Sequence, residues 1–136
     1  MEKEKILTAA QKFRSAIELL KDELDRPDFE AFPLGACGAA SGLLGAYLDE
    51  LGLGRFHYVC GRTSGQNWIS HAWLELDGWI LDITADQFDN VDDQVVFGRD
   101  LEFYEAFFNI EYGRECTKDS IDELDLYVYR MIVDNV

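Results

Sequence analysis

Three residues of the chain have the side chains that a thiol nucleophile needs: Cys37, His71 and Asp82. A cysteine attacks a carbonyl carbon as its thiolate, a histidine accepts the thiol proton, and a carboxylate orients the imidazole. Asp86 has the same parity as Asp82 along the predicted strand, so it is the alternative third member if the strand bends; we prefer Asp82. This chemistry requires the elements around these residues to bring them together.

The segments that carry the histidine and the aspartate predict a β-hairpin. Residues 68–76 and 79–84 are rich in the aromatic and aliphatic side chains that favour strands. Between them lies Asp77-Gly78, a dipeptide that tolerates the positive backbone angles of a two-residue turn. The sequence therefore predicts two antiparallel strands joined by this turn.

The turn determines which side chains share a face of the hairpin. It places Trp73 opposite Asp82 and His71 opposite Thr84, and opposed residues lie on the same face. His71 and Asp82 become diagonal neighbours with about 5.5 to 8 Å between their backbones, a gap that these side chains can close to a hydrogen bond. The other face is almost wholly apolar and is predicted to be the core; it consists of Ala72, Leu74, Leu76, Trp79, Leu81 and Ile83.

Cys37 lies in the first turn of a predicted helix. Apolar residues follow helical spacing from about Ala36 until Gly52 stops the run. The unpaired amides and the positive end of the helix dipole favour a thiolate over a thiol, and they offer donors to a developing oxyanion. We therefore expect the pKa of Cys37 to be lower than that of an ordinary cysteine.

Three glycines recur on one face of this helix, at positions 38, 42 and 45. Each costs roughly 0.8 to 1 kcal/mol relative to alanine in a helix interior. Close packing of the helix backbone against the sheet would offset that cost, because glycine lets a neighbour approach without a side chain between. The glycine face therefore predicts that the helix packs on the sheet.

A Gly-x-Cys-Gly motif at the helix start, followed by His-Ala-Trp-Leu-Glu and then Leu-Asp-Ile-Thr, resembles the core of the transglutaminase-like superfamily, relatives of the papain-fold cysteine peptidases. The resemblance covers residues 35–84. It implies an α+β fold in which the helix that bears the cysteine packs on an antiparallel sheet that bears the histidine and the aspartate. It also implies a triad of Cys37, His71 and Asp82. The chain departs from the family pattern at Ile83, where proline often stands, and it has no glutamine upstream of Cys37 to donate to an oxyanion as in papain.

The resemblance implies acyl transfer at an amide or thioester through the cysteine, with no metal and no cofactor. Water as acceptor gives peptidase, amidase or deamidase activity, and an amine as acceptor gives transglutamination. The expected substrate is a peptide, a protein or a small amide. The alternative is a catalytically inactive module of the same fold that binds proteins. The joint presence of all three residues favours the enzyme, because a decayed site is expected to lose one.

Four residues near the histidine are candidate substrate contacts. Gln66, Asn67 and Trp68 belong to the polar loop before the hairpin and to the start of its first strand. They have side chains that can contact a substrate or an oxyanion, although an ordinary loop explains them equally well. Trp73 shares the predicted face of His71.

Other reactive side chains have structural explanations. His57 lies at the start of a predicted strand and competes poorly with the better supported His71. Cys60 is mid-strand and is expected to be buried, whereas Cys116 lies among charged residues and is expected to be exposed. Four aspartates between residues 86 and 93 lack the spacing of a calcium loop, so a solvated loop is predicted there.

The composition indicates a single domain over residues 1–136. The 48% of hydrophobic residues suffices for one core, and no stretch approaches the length of a membrane span or a signal peptide. The net charge of -15 repels nucleic acid and anionic membranes, although solubility alone explains it. Three cysteines without metal spacing favour a cytoplasmic protein with reduced thiols. The oligomeric state stays open.

The other elements follow from periodicity. Residues 4–25 predict an amphipathic helix that Pro27 ends, and residues 56–62 predict a strand. Residues 100–109 have helical spacing, with a strand left open by their aromatic content. A capping-box pattern that begins at Ser120 favours a C-terminal helix over a strand.

Overall fold

The chain forms five strands and five helices, and the structure is a computed structural model that describes residues 1–136 except for the side chains of residues 111 and 112. The strands are β1 (His57–Arg62), β2 (Ser70–Leu76), β3 (Trp79–Asp82), β4 (Val96–Gly98) and β5 (Asn109–Glu115). The helices are α1 (Lys3–Leu20), α2 (Pro27–Glu30), α3 (Cys37–Glu50), α4 (Glu102–Glu105) and α5 (Glu123–Val133). The strands pair antiparallel in one open sheet of order β4-β3-β2-β1-β5, so the fold class is α+β.

The predicted hairpin is confirmed. Asp77 and Gly78 have φ angles of 51° and 81°, as a two-residue turn with two left-handed residues requires. Leu76 pairs with Trp79 across the turn, and the same register continues along the two strands. The alternation of faces derived from this turn therefore applies to β2 and β3.

The second strand of the hairpin is two residues shorter than predicted. β3 ends at Asp82, and the chain then enters a 3₁₀ turn over residues 85–87. The Thr84 amide donates to Oδ1 of Asp82 at 2.9 Å, which bends the chain away from β2. An aspartate side chain that accepts from an amide two residues later is typical of a turn.

The N-terminal helix ends earlier than predicted. α1 stops at Leu20 instead of continuing to residue 25, and Asp25 takes a positive φ of 53° that no helix tolerates. Pro27, expected to end the first helix, is the first residue of α2. Proline suits that position because the first helical N–H has no intrahelical partner.

Helices α1, α3 and α5 cover the apolar face of the hairpin, as predicted for the core. Ala72, Leu74, Leu81 and Ile83 are almost fully buried there. The helices contribute buried apolar side chains at helical spacing, among them Phe13, Ile17, Leu43, Leu44 and Ile132. These residues form the larger of two hydrophobic clusters.

The opposite face of the hairpin is also buried, which the alternation alone did not predict. A second cluster there consists of Val59, Trp73, Ile80, Tyr104 and Phe107. Its aromatic rings pack edge to face, for example Trp73 and Tyr104 with centroids 5.1 Å apart. The residues around α4 therefore cover the face that carries His71 and Asp82.

The strands β4 and β5 were not predicted from the sequence, whereas the C-terminal helix α5 was. β5 begins at the end of the segment that had helical spacing, and it pairs with β1 through a bulge between Cys60 and Gly61. The helix α5 confirms the preference for a C-terminal helix. The capping box is wrong, because Ser120 Oγ bonds Thr117 instead and α5 has no side-chain cap.

The three glycines of α3 are not equivalent. A Cβ at Gly45 would lie 2.6 Å from Cβ of Cys116 and 3.2 Å from Cδ2 of Leu74, whereas one at Gly42 would meet nothing within 4 Å. At Gly38 the nearest atom is the Tyr58 hydroxyl, at 3.2 Å. The predicted close approach is confirmed at Gly45 and is wrong for Gly42. Cys116, expected to be exposed, is buried because α3 covers it.

The pair Gly45 and Gly42 offers a matched test of this packing. We expect Gly45→Ala to lower the free energy of unfolding by about 1–3 kcal/mol, because the added methyl group overpacks the contact with Cys116. Gly42→Ala should raise it by up to about 1 kcal/mol, since alanine is the better helix former and space is available. Urea unfolding of both variants measures the difference. Equal effects of the two substitutions would contradict the packing described here.

Candidate active site

Cys37 is the first residue of α3. Gly35 has a φ of 75°, which permits the sharp entry into the helix. No side chain caps the helix, so the first amides remain available to a ligand, and the thiol is half-buried. The predicted position of the cysteine at a helix start is confirmed.

His71 and Asp82 form a buried hydrogen bond on the sheet. Nε2 of His71 donates to Oδ2 of Asp82 at 2.6 Å, and the two residues are 0% and 1% exposed. β2 and β3 position them as diagonal neighbours, as the hairpin register predicts. Asp86, the alternative third member, instead accepts from Arg14 of α1 at 2.8 Å.

The Asp82 carboxylate accepts hydrogen bonds at both oxygens. The Tyr104 hydroxyl donates to Oδ2 at 2.7 Å, alongside His71. At Oδ1 the donors are the amide and the hydroxyl of Thr84, at 2.9 and 3.3 Å. Each donor offsets part of the hydration that the carboxylate loses on burial.

The environment of His71 favours its protonated form. Burial acts to lower the pKa of the imidazole, but the hydrogen bonds and negative charges of Asp82 and Cys37 outweigh it and raise the pKa from 6.5 to about 9. The Phe88 ring packs edge-on against the imidazole with centroids 5.0 Å apart, and Phe107 lies at 5.9 Å. Around neutral pH the site therefore favours an imidazolium.

The pKa of Cys37 shifts in the opposite direction. Burial acts to raise it, but a hydrogen bond with His71, the charge of that imidazole and a hydrogen bond from the Ala72 amide together lower it. The nearby charge of Asp82 opposes this only in part. A lowered thiol pKa beside a raised imidazole pKa favours transfer of the thiol proton to the imidazole, and the thiolate is the reactive form of a cysteine nucleophile.

The thiol and the imidazole meet where β2 and β3 separate. α3 packs on the apolar face of the sheet, whereas the rings of His71 and Trp73 lie on the other face. The pairing of β2 with β3 stops at Leu74 and Leu81, so the Ala72 amide is free to donate to the Cys37 sulfur. The Cys37 thiol and the His71 imidazole thus come from opposite faces of the sheet and interact beyond the last paired residues of β2 and β3.

Gln87 is a further polar group at the imidazole. Its Nε2 lies 3.3 Å from Nδ1 of His71 and donates to the Thr84 carbonyl at 3.1 Å. Because Asp82 occupies Nε2 of His71, Nδ1 is the nitrogen left for exchange with the thiol. The Gln87 amide is therefore next to the nitrogen that would accept the thiol proton.

Three of the four predicted substrate contacts lie in an exposed loop, and no contact between them and Cys37, His71 or Asp82 is described. Gln66, Asn67 and Trp68 are exposed in the loop between β1 and β2, and the Arg62 guanidinium lies 5.1 Å from the Trp68 ring. A substrate role for these three stays a prediction. Trp73 is only 2% exposed and its indole donates to Glu75 at 2.9 Å, and its role as a substrate contact also stays a prediction.

The other reactive residues lie apart from this arrangement. His57 is exposed at the start of β1, and Cys60, expected to be buried, is half-buried. Burial raises the pKa of the Cys116 thiol, which makes it a poor nucleophile. Among the described residues no group of three or more His, Cys, Asp and Glu side chains could hold a metal ion. No helix of the described chain has the length and apolar character needed to cross a membrane.

Four residues of the site were missed by the sequence analysis: Arg14, Thr84, Tyr104 and Gln87. Thr84 had a signal, since a threonine two residues after an aspartate commonly bonds back to it. Tyr104 carried only the signal of an apolar helix position, and its hydroxyl contacts a carboxylate 22 residues away in sequence. Arg14 interrupts the apolar face of α1, which is the mark of a buried charge that has partners.

Compared with models of protein families, with curated proteins and with solved structures, the chain shows no match.

The lowered pKa of Cys37 predicts selective alkylation. Iodoacetamide should modify Cys37 before Cys60 and Cys116, and its rate should rise with pH through a midpoint below the value of about 8.5 for free cysteine, because the thiolate is the reacting form. His71→Ala should move the midpoint above that of wild type, since burial then acts without the compensating charge. Mass spectrometry of peptides measures each site. Labelling of Cys37 and Cys116 at equal rates would contradict the site geometry.

The Tyr104 hydroxyl predicts a measurable effect on His71. Tyr104→Phe removes one donor from the oxygen that His71 binds, so the carboxylate attracts the imidazolium more strongly and the pKa of His71 should rise further. The free energy of unfolding should fall by about 1–2 kcal/mol for the lost buried hydrogen bond. NMR titration of the imidazole protons resolves this, because the chain has only two histidines. His57→Gln assigns the signals. An unchanged or lower His71 pKa in Tyr104→Phe would contradict the proposed sharing of Oδ2.

Proposed function

We propose that the chain is an enzyme that transfers acyl groups through Cys37, with hydrolysis of an amide or peptide bond as its main reaction. The observation that carries the proposal is the contact of a half-buried thiol at a helix start with an imidazole that is itself hydrogen-bonded to a buried carboxylate. Those are the parts that an activated thiol nucleophile requires. The proposal includes membership of the transglutaminase-like group, on the motifs of residues 35–84.

The first half of the proposed reaction forms a thioester. The Cys37 thiolate attacks the substrate carbonyl carbon, and the negative charge moves to the carbonyl oxygen. Amide groups at the start of α3 lie next to the sulfur and can donate to this oxyanion. The His71 imidazolium gives its proton to the leaving amine as the C–N bond breaks, and an acyl-cysteine remains.

The second half regenerates the thiol. Neutral His71 accepts a proton from water, the resulting hydroxide attacks the acyl-cysteine, and the sulfur leaves as the acid is released. Asp82 holds the imidazole in the tautomer whose Nδ1 can accept a proton. A primary amine in place of water would give a new amide, so transglutamination is the second outcome of the same intermediate.

A cleft of about 440 Å³ lies on the outer side of two rings that contact the imidazole and is the proposed binding place for part of the substrate, although neither Cys37 nor His71 lines it. Phe88 and Phe107, which contact the His71 ring, form part of its wall together with Ile69 and Phe103. These apolar surfaces suit a hydrophobic side chain or acyl group. The net charge of -15 favours neutral or basic peptides, proteins or small amides over nucleic acids and anionic membranes. A cytoplasmic location belongs to the proposal, because the nucleophile must stay reduced.

The test is a search for a covalent intermediate that depends on Cys37. Intact mass spectrometry after exposure to acyl thioester probes and to a library of peptide amides should show an acyl adduct on wild type and none on Cys37→Ala. Asp82→Asn should lower the rate of adduct formation by about a hundredfold or more, because it can hold the wrong tautomer of His71. Cys116→Ala is the matched control and should form the adduct normally.

The inactive binding module predicts the opposite pattern. If wild type and Cys37→Ala both lack an adduct and turnover, and both capture the same protein from solution with equal affinity, the enzyme proposal fails. Products tell the reactions apart: released acid indicates hydrolysis, and an amide formed with an added primary amine indicates transglutamination.

A further inference from the structure

Because β2 and β3 separate after Leu74 and Leu81, the next hydrogen-bonded residue pair of the hairpin does not form. In the hairpin, alternate residue pairs exchange N–H···O=C bonds, and the pair beyond Leu74 and Leu81 in that series would be Ala72 and Ile83. Instead the Ala72 amide donates to the Cys37 sulfur, and the Ile83 carbonyl accepts from Arg14 Nη1 at 2.8 Å. The donor and the acceptor of one of the two bonds in the absent pair therefore each have another partner.

Arg14 is a buried cation at this point. It lies on α1 and is only 3% exposed. Its guanidinium donates to the Gln94 carbonyl at 3.0 Å, to Asp86 through both terminal nitrogens, and to Glu18 at 2.9 Å. Such a cation is tolerated in the interior only because carboxylates and carbonyls surround it.

Arg14 forms hydrogen bonds with two residues of the segment that follows Asp82, residues 83–87. Ile83 is held directly, and Asp86 belongs to the 3₁₀ turn that also carries Gln87. A guanidinium presents several donors in a rigid planar fork, whereas a lysine ammonium is a point charge on a flexible stem. The fork can therefore keep a backbone carbonyl and a carboxylate in one fixed relation.

We propose that Arg14 is a positioning residue for the nucleophile: by holding the Ile83 carbonyl away from β2, it reserves the Ala72 amide for the Cys37 sulfur. This rests on the proposed function, in which that sulfur is the attacking atom. Without the guanidinium, the Ile83 carbonyl would lose its donor and the ladder could close by one further pair. The thiolate would then lose its backbone donor, while His71 and Asp82 would keep their bond.

The experiment compares Arg14→Lys and Arg14→Met with Arg26→Lys and Arg26→Met. Arg26 is a matched control, because it also pairs with two carboxylates, Asp28 at 2.9 Å and Asp125 at 2.8 Å, but in a different part of the fold. The readouts are the thermal midpoint and the rate of Cys37 alkylation across pH. Alkylation needs no substrate, so it tests Arg14 even if acyl transfer is not the function.

We expect both Arg14 variants to slow alkylation at pH 7 by about fivefold to tenfold and to move its midpoint to higher pH, since the thiolate loses a hydrogen bond. The Arg26 variants should lower the thermal midpoint without moving the alkylation profile. If Arg14→Met does not fold, Arg14→Lys and Asp86→Asn are the deciding variants, because each keeps a polar group of similar size.

NMR of the Ala72 amide provides a readout that a merely structural role would not move. In wild type its proton shift should follow the ionisation of Cys37, and in Arg14→Lys that dependence should weaken. An unchanged alkylation profile and an unchanged Ala72 response in folded Arg14→Lys would overturn the proposal. A shifted profile without any acyl adduct in wild type would leave the positioning role standing and would refute the proposed function alone.

Discussion

The hydrogen bond between His71 and Asp82 is the constraint on which the rest of the structure depends. A carboxylate that is 1% exposed is costly to bury unless donors replace its lost hydration. The fold supplies them from three directions: the imidazole of β2, the Tyr104 hydroxyl of α4 and the Thr84 amide beyond β3. Removing any one would leave polar atoms unpaired in the interior, so these elements hold one another in place.

The same bond explains why both faces of the hairpin are covered. Water would compete for the carboxylate and weaken its hold on the imidazole. Phe88 and Phe107 shield the imidazole, and Trp73 packs against it from the neighbouring position of β2. On the other side, α3 brings the thiol to the end of the ladder. The sheet thus lies between the helix that carries the cysteine and the aromatic cluster, and the Cys37 thiol interacts with the His71 imidazole where the pairing of β2 and β3 has ended.

The opposite pKa shifts of the Cys37 thiol and the His71 imidazole support the proposed acyl transfer. Burial opposes both shifts, and neighbouring groups outweigh it: Asp82 and Cys37 raise the pKa of His71, and His71 and the Ala72 amide lower the pKa of Cys37. What favours activity is the half-buried thiol, since a purely structural network would have no reason to keep its nucleophile accessible.

The sequence by itself determined the hairpin, its turn, its register and the helix start at Cys37, because each depends on neighbours within a few residues: Asp77-Gly78 admits only a tight turn, and strand alternation then follows. Tertiary structure decided the rest. β5 and the aromatic cover depend on pairings between distant residues, and the choice of Asp82 over Asp86 depends on Arg14, which lies 72 residues from Asp86. Trp73 shares the predicted face of His71, but strand alternation predicts only the face and not the residues that cover it. Local patterns cannot specify such contacts, since their partners are chosen by packing in three dimensions.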